Sequence, residues 1–175
     1  MTAALKPRHR TQPAGASGRP ASRTPFRFHS RSPAQTRKLG ERLGRLLKGG
    51  EVLALCGNLG AGKTCFIQGL AKGLGVREAY LPSPTFIFIQ KYIGRLTLYH
   101  ADLYRIERPS DAEGLGLLEC FDRRSVAAVE WAEKAIEYLP AQRITLEIEQ
   151  SGEKDRRLQF HVPAEYEHVI KKLKL

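Results

Sequence analysis

Hydrophobic and polar residues follow two different periods along this chain, and the period changes from one segment to the next. Between Ser32 and Leu47 the leucines recur at helical spacing, and Ser32 followed by Pro33 is a typical helix start. Glu51–Cys56 is a short apolar run that predicts a buried strand. The next segment, Cys65–Gly73, is again predicted to be helical. The first part of the chain therefore predicts a helix, a strand and a second helix.

The second half of the chain predicts mostly strands. Thr85–Tyr92 and Arg95–Leu103 alternate around Gly94, which predicts an antiparallel hairpin. Ser125–Val129 is a compact apolar run that predicts a further strand. The remaining segments are predicted as a loop with a short helix, a helix, two alternating strands and a terminal helix, at residues 108–118, 133–138, 143–149, 157–162 and from 163 onward. This succession predicts a mixed α/β domain with flanking helices.

The first 28 residues differ in composition from the rest of the chain. They are rich in Pro, Ser, Thr, Arg and Ala without apolar periodicity, so we expect a disordered basic tail at 1–28 and a single domain at 29–175. Nine of the 29 basic residues lie in the first forty positions, where no acidic residue occurs, so the remainder is almost neutral. Such a tail could contact RNA or an acidic partner. A solvated extension without a specific role is the preferred hypothesis, and its prolines argue against a transit peptide.

Cysteine usage and the lack of long apolar runs bear on the compartment. The three cysteines, Cys56, Cys65 and Cys120, are odd in number and lack metal-binding spacing. The sequence has no secretory signal and no run near the ~18 apolar residues of a membrane span. We therefore expect a cytoplasmic protein with free thiols, no structural zinc site and no membrane contact.

The most specific motif lies between the first buried strand and the helix that follows it. It is the phosphate-loop pattern, Gly57-Asn58-Leu59-Gly60-Ala61-Gly62-Lys63-Thr64. Its glycines let successive backbone N–H groups face inward, and the helix adds its positive end. We expect Lys63 to reach the β- and γ-phosphates of a nucleotide and the Thr64 hydroxyl to hold Mg²⁺. The fold expected is thus a P-loop NTPase-like mixed sheet with parallel core strands and antiparallel hairpin additions.

Phosphoryl transfer also needs an acidic residue near the metal ion and a group that orients the attacking water. Two acidic residues end predicted strands: Asp102 follows residues 98–101, and Glu130 follows the apolar run 126–129. Either could instead be an ordinary solvent-facing acid at a strand end. The guanine-reading motif Asn-Lys-x-Asp is absent from the sequence, which leaves ATP as the expected nucleotide.

Four segments, taken together and in this order, resemble the TsaE family of small bacterial ATPases in tRNA threonylcarbamoyladenosine synthesis. They are Gly57–Thr64, Ser83-Pro84-Thr85-Phe86, His100-Ala101-Asp102-Leu103-Tyr104-Arg105 and Val129-Glu130-Trp131-Ala132-Glu133. The resemblance spans about residues 30–160. A phosphate loop alone is widespread, whereas the four segments at this spacing are highly specific.

The resemblance implies roles for several of these residues. Thr64 and Glu130 would coordinate Mg²⁺, directly or through water, and Asp102 would lie near the metal and the attacking water. Whether Asp102 or Glu130 positions that water stays open. With Lys63, these two carboxylates form the expected catalytic set.

The resemblance also implies nucleotide contacts and a switch segment. Ser83 and Thr85 would belong to the switch, with Thr85 able to sense the γ-phosphate. Trp131 would lie by the nucleotide, and Thr36 would border the base. The loop residues 57–65, of which Cys65 is the last, would also contact the nucleotide.

The implied partners are TsaD and TsaB, with tRNA bound through their complex and DNA not expected. The ATPase would be slow alone and stimulated by a partner, and it would let the complex turn over repeatedly on the adenosine next to the anticodon. The alternative function is a small-molecule or nucleoside kinase that uses the same loop, and a third class is a nucleotide-sensing module without useful hydrolysis. The chain departs from the family pattern at Asn58, often Asp, and at Ala132, often Pro.

Two further features have ordinary structural explanations. Lys154, Arg156 and Arg157 cluster near the turn between the last two predicted strands. They could contact nucleotide or RNA, but a solvated turn is the preferred interpretation. His100 alternates with core residues, so we expect it to be structural.

Overall fold

One seven-stranded sheet organises the part of the chain that the structure, a computed structural model, describes: residues 25–78 and 81–173. Its strands are β1 (Phe26–Ser30), β2 (Val52–Cys56), β3 (Ile89–Tyr92), β4 (Thr97–Asp102), β5 (Ser125–Glu130), β6 (Ile144–Gln150) and β7 (Arg156–His161). The α-helices are α1 (Pro33–Leu46), α2 (Lys63–Gly73), α3 (Asp111–Gly114) and α4 (Ala164–Ile170). Two 3₁₀ helices span Leu117–Cys120 and Ala132–Tyr138.

The strand order explains where a site can form. The order across the sheet is β1-β7-β6-β2-β5-β4-β3, and β6, β2, β5 and β4 run parallel. β7 and β1 add antiparallel strands at one edge and β3 adds one at the other. The predicted mixed sheet with a parallel core and antiparallel additions is confirmed. The carboxyl ends of the central strands β2, β4 and β5 lie side by side, and α/β folds bind ligands beyond these ends.

The central strand β2 is buried on both faces, which accounts for its uninterrupted apolar sequence. Leu53 and Leu55 pack into a core with α1, α2 and α4, in which Phe66 and Phe160 are fully buried. Ala54 faces the other way, into a second core beneath the 3₁₀ helix that begins at Ala132. Both faces of the sheet are therefore covered at its centre.

Helices α1 and α2 approach each other closely enough to exclude side chains from part of their contact. A Cβ atom built at Gly69 would lie 1.9 Å from the carbonyl oxygen of Arg37. One built at Gly40 would lie 2.2 Å from the carbonyl oxygen of Phe66. Because α2 begins at Lys63, this backbone contact holds the helix that carries the end of the phosphate loop.

Two predicted boundaries are wrong. Phe26–Phe28, assigned to the tail, belongs to β1, because their backbone pairs with Phe160 to Leu158 of β7. The rest of the predicted tail, 1–24, lies outside the described residues.

The strand predicted over residues 85–92 begins only at Ile89. Phe88 adopts a positive φ of 62°, and its N–H donates to the carbonyl oxygen of Pro84 at 2.7 Å. This local turn replaces ladder hydrogen bonds, although the side chains before it alternate. The hairpin of β3 and β4 itself is confirmed.

Two other findings concern the cysteines and the membrane. All three cysteines are free, and burial raises the pKa of Cys56 to about 12 and that of Cys120 to about 11. Among the residues described, no helix has the length and apolar character to cross a membrane.

We expect Gly69→Ala to lower the free energy of unfolding by roughly 1–3 kcal/mol, despite the better helix propensity of alanine, because the new methyl group meets a backbone oxygen. Urea denaturation would measure the loss. The matched control is Gly114→Ala in α3, where an added Cβ would meet no heavy atom of the described residues within 4 Å. Equal stability of the two variants would contradict the tight packing of α1 on α2.

Candidate functional site

The loop between β2 and α2 has the backbone that phosphate binding requires. Gly57 has a φ of 137°, and a Cβ there would lie 2.3 Å from the carbonyl oxygen of Ile148 in β6, so only glycine fits. Gly62 is the N-cap of α2 in the left-handed region, with a φ of 108°, and no side chain in the described part of the chain caps the helix. The first N–H groups of α2 are thus left for a ligand, beside the positive end of the helix.

Lys63 is the first residue of α2 and is almost fully buried, with 4% of its surface exposed. Its Nζ donates to the backbone oxygens of Gly57 and Asn58, the second at 3.0 Å. The same Nζ lies 3.8 Å from the centroid of the Trp131 ring. Burial lowers the pKa of Lys63, and the nearby carboxylates, Glu130 first, oppose that shift. The lysine therefore rests on loop carbonyls and an aromatic face, inside the site.

Glu130 ends β5 and receives three hydrogen-bonding groups from different elements. The Thr64 hydroxyl donates to its Oε1 at 2.8 Å and its Oε2 at 3.1 Å. Nε2 of His100 lies 2.8 Å from Oε1, and the Ser83 hydroxyl, whose shorter hydrogen bond is to Asp102, lies 3.4 Å from the same oxygen. Glu130 is only 3% exposed, and a carboxylate so deeply buried needs such partners.

Asp102 ends β4 directly beside Glu130, with which it is paired in the parallel register. Its Oδ2 accepts hydrogen bonds from the hydroxyls of Ser83 and Thr85, the second at 2.6 Å. Its Oδ1 accepts one from the backbone N–H of Tyr104 at 2.9 Å. One buried carboxylate thereby holds the segment that contains Ser83 and Thr85 against the carboxyl edge of the sheet.

Trp131 follows Glu130 with a strained backbone, since its φ of 58° is unusual for a residue with a side chain. Its ring lies 5.0 Å from that of Tyr104, centroid to centroid. This conformation turns the indole back over Lys63 at the entrance to the loop. Backbone strain at such a position is common in functional sites.

These groups surround a single cleft of about 360 Å³. Its lining combines loop and α2 residues, both strand-end carboxylates, the hydroxyls of Ser83 and Thr85 and two aromatic rings: Leu59, Gly60, Gly62, Lys63, Thr64, Cys65, Ser83, Thr85, Asp102, Tyr104, Glu130 and Trp131. Among the described residues that line the cleft, Lys63 alone has a cationic side chain, and it faces two carboxylates. The arrangement offers amide and ammonium donors to an anion and oxygen ligands to a cation.

Most residues predicted for the site meet at this cleft, but Thr36 does not line it. Thr36 is 1% exposed in α1, and its hydroxyl lies 2.8 Å from that of Ser30 and donates to the Ser32 carbonyl at 3.4 Å. Its expected contact with the base stays a prediction. Gly57 and Asn58 contribute the carbonyls that hold Lys63, and Ala61 donates its N–H to Asn58 at 3.1 Å.

Sequence reasoning missed the contact between His100 and Glu130. His100 is fully buried and was expected to be only structural. The available signal was the alternation along β4, which places His100 on the same face as Asp102, two residues later. Its partner could not be read from the sequence, because it lies 30 positions away.

Comparison with known proteins gives a consistent result. The family model of the threonylcarbamoyl adenosine biosynthesis protein TsaE matches residues 30–158. The chain is 42% identical over 133 residues to the tRNA threonylcarbamoyladenosine biosynthesis protein TsaE of Treponema pallidum, which covers 76% of this chain and 98% of that protein. It is 40% identical over 136 residues to the protein of the same name from Bacillus subtilis, which covers 77% and 84%.

The fold is also similar to a solved structure. A crystal structure of Bacillus subtilis YdiB aligns with a TM-score of 0.72 and 34% sequence identity, covering 86% of this chain and 94% of that one. The stretch matched by the family model includes every residue that lines the cleft.

Replacing Asp102 by alanine should release the segment that it holds. Loss of the hydrogen bonds from Ser83 and Thr85 should speed amide hydrogen exchange across residues 83–88 by roughly tenfold, since hydrogen bonds to charged groups contribute about 1.5–3 kcal/mol. Exchange followed by mass spectrometry measures this. Glu107→Ala, at an exposed carboxylate on the following loop, is the control. Identical exchange in the two variants would show that Asp102 does not hold the segment.

Proposed function

Because this chain belongs to the TsaE family of tRNA threonylcarbamoyladenosine biosynthesis proteins, we propose that it is a Mg²⁺-dependent ATPase in that pathway. The substrate is ATP, and hydrolysis acts on a TsaD–TsaB complex. That complex binds the tRNA and modifies the adenosine next to the anticodon. In this proposal the chain transfers no threonylcarbamoyl group itself and instead allows the complex to turn over repeatedly.

The observation that carries the proposal is the hydrogen bond of 2.8 Å from Thr64 to Glu130. It joins the last residue of the phosphate loop to a carboxylate that follows a buried parallel strand. In P-loop enzymes a hydroxyl and an acidic residue in these positions share the metal ion that bridges the phosphates. Both groups lie within the lining of the cleft that contains Lys63.

The donor set fits Mg²⁺. This ion prefers oxygen ligands and is usually held by one or two carboxylates together with phosphate oxygens and water. Thr64 and Glu130 would hold it, with Asp102 close by on the neighbouring strand. No group of three or more His, Cys, Asp or Glu side chains suited to a metal occurs among the described residues. When bound, Mg²⁺ neutralises charge on the transferred phosphoryl group.

The residues of the chain supply binding and positioning. The loop amides and the start of α2 bind the phosphates, and Lys63 exchanges its carbonyl partners for phosphate oxygens. Such an exchange favours the charged form of Lys63 and so opposes the burial that lowers its pKa. Asp102 or Glu130 orients the attacking water. The hydroxyls of Ser83 and Thr85, now held by Asp102, are available to a γ-phosphate.

The lining of the cleft is the reason why we propose slow hydrolysis by the chain alone. Within the described residues its lining contains no arginine, and an arginine supplied in cis or in trans often provides a large part of the rate of phosphoryl transfer. A partner that contributes such a group, or that moves the switch segment, would raise the rate. This dependence is the role we propose for the TsaD–TsaB complex.

We expect Lys63→Ala to abolish productive ATP binding while the fold is retained, because the variant removes the cation from the cleft and leaves its two carboxylates in place. Isothermal titration with a non-hydrolysable ATP analogue and Mg²⁺ measures binding, and thermal unfolding checks the fold. Lys134→Ala is a useful control, because Lys134 contacts the backbone of Tyr104 and Ile106 rather than the loop. Wild-type affinity in Lys63→Ala would overturn the proposed nucleotide site.

The wild-type chain should release phosphate from ATP slowly, and a TsaD–TsaB complex should raise the rate. The Asp102→Ala variant should lose that stimulated turnover by about 10² or more, in the range found when positioned acid–base groups are removed. Labelled ATP with a panel of small-molecule and nucleoside acceptors distinguishes the kinase alternative. A phosphorylated acceptor would favour a kinase, and unchanged stimulated turnover in Asp102→Ala would exclude a catalytic role for that residue.

A further inference from the structure

A phosphate-binding loop has an outer side whose hydrogen bonds must also be satisfied. When successive N–H groups face inward, carbonyl groups of the same peptides face outward, and buried or half-buried carbonyls need donors. In this loop the carbonyl oxygens of Gly60 and Ala61 receive donors from a distant residue, Arg156 at the start of β7.

The guanidinium of Arg156 donates hydrogen bonds both to the phosphate loop and to the turn between β6 and β7. Nε donates to the carbonyl oxygen of Ala61 at 2.8 Å, and Nη2 donates to that of Gly60 at 3.2 Å. Nη1 donates to backbone oxygens of the turn between β6 and β7, with the shortest distance, 2.9 Å, to Asp155. One planar group thus joins the phosphate loop to a turn about ninety-five positions further along the chain.

Arg156 approaches the loop from outside the cleft. It is not among the residues that line the cleft, whereas Gly60 and Gly62 are. Its contacts therefore leave the inward N–H groups free for a ligand. The guanidinium also places a permanent positive charge behind the loop, since arginine stays protonated in proteins.

We propose that Arg156 is a positioning residue for nucleotide binding, which holds the phosphate loop in its binding shape through the outward carbonyls of Gly60 and Ala61. This inference rests on the proposed function, because it gives the held loop a nucleotide to bind. A loop that is already held in shape needs no further ordering when phosphates bind. The hydrogen bonds from Arg156 therefore raise the affinity for every nucleotide that the loop binds. It also makes the turn at 151–155 a place from which the shape of the loop can be altered.

The neighbouring arginine provides a matched comparison. Arg156 and Arg157 were predicted to form one solvated cluster with Lys154, and the structure separates them. Because adjacent residues in a strand face opposite sides of the sheet, Arg157 projects away from the loop. It is exposed, and its Nη1 lies 3.8 Å from a carboxylate oxygen of Glu149. Replacing either arginine removes the same charge, but only the replacement of Arg156 removes the hydrogen bonds to the loop.

The first measurement is nucleotide affinity in the full chain. Isothermal titration with Mg²⁺ and either ADP or a non-hydrolysable ATP analogue should show about tenfold weaker binding of both nucleotides to Arg156→Ala, the effect of losing about one charged hydrogen bond. Arg157→Ala should bind like the wild type. Arg156→Lys should recover only part of the affinity, because an ammonium group cannot reproduce the fork that reaches two carbonyls. Full recovery of the affinity in Arg156→Lys would show that charge alone matters and would overturn the proposal that Arg156 holds the loop.

The second measurement needs no nucleotide. Amide hydrogen exchange over residues 57–66 of the ligand-free chain should be faster in Arg156→Ala than in Arg157→Ala, since the Ala61 amide and the first turn of α2 lose their support. If Arg156→Ala does not fold, Arg156→Lys is compared with Arg157→Ala in the same way. Equal exchange overturns the inference. Failure of the wild-type chain to bind Mg²⁺ with ATP would instead refute the proposed function, and exchange would still decide whether Arg156 holds the loop.

Discussion

The buried carboxylate of Glu130 is the constraint around which the site is built. A carboxylate that is only 3% exposed is costly unless donors surround it. Here the donors come from the phosphate loop and from β4, and the hydroxyl of Ser83 lies close by. The parallel register places Glu130 beside both Asp102 and Leu55, the last residue but one of β2. Satisfying this one group therefore brings together three segments that are far apart in sequence, and their meeting point is the cleft.

The charged groups of the site have internal partners that a ligand could replace. Lys63 rests on loop carbonyls and on the Trp131 ring, while Asp102 holds the hydroxyls of Ser83 and Thr85. In the proposed ATPase, phosphate oxygens and Mg²⁺ would compete for these same groups. Binding and movement of the switch segment would then be coupled through the exchange of hydrogen-bond partners. A protein complex that contacts the segment could act on hydrolysis by the same route.

The surrounding fold limits how far the loop can move. At Gly57 the loop backbone passes so close to β6 that a Cβ atom would clash with Ile148. At Gly69 the helix that follows the loop packs even more closely against α1. Arg156 holds the outer side of the loop through hydrogen bonds to the backbone carbonyls of Gly60 and Ala61. Three contacts with different elements thus hold the phosphate loop and its helix, whereas the hydroxyls of Ser83 and Thr85 are both held by the carboxylate of Asp102.

The amino-acid sequence alone determined the phosphate loop, the parallel strand before it and the acidic residues at two strand ends, and it supported the family resemblance that the comparisons confirmed. Those features are encoded in contiguous residues, where spacing and local backbone preference are sufficient. Tertiary structure decided the pairing of His100 with Glu130, the contact of Arg156 with the loop, the burial of Thr36 and the turn that shortens β3. These findings depend on which strands are neighbours and in what register, on how the start of α1 packs, or on a local turn that competes with the sheet. Such competition between distant and local hydrogen bonds leaves no period or motif in the sequence.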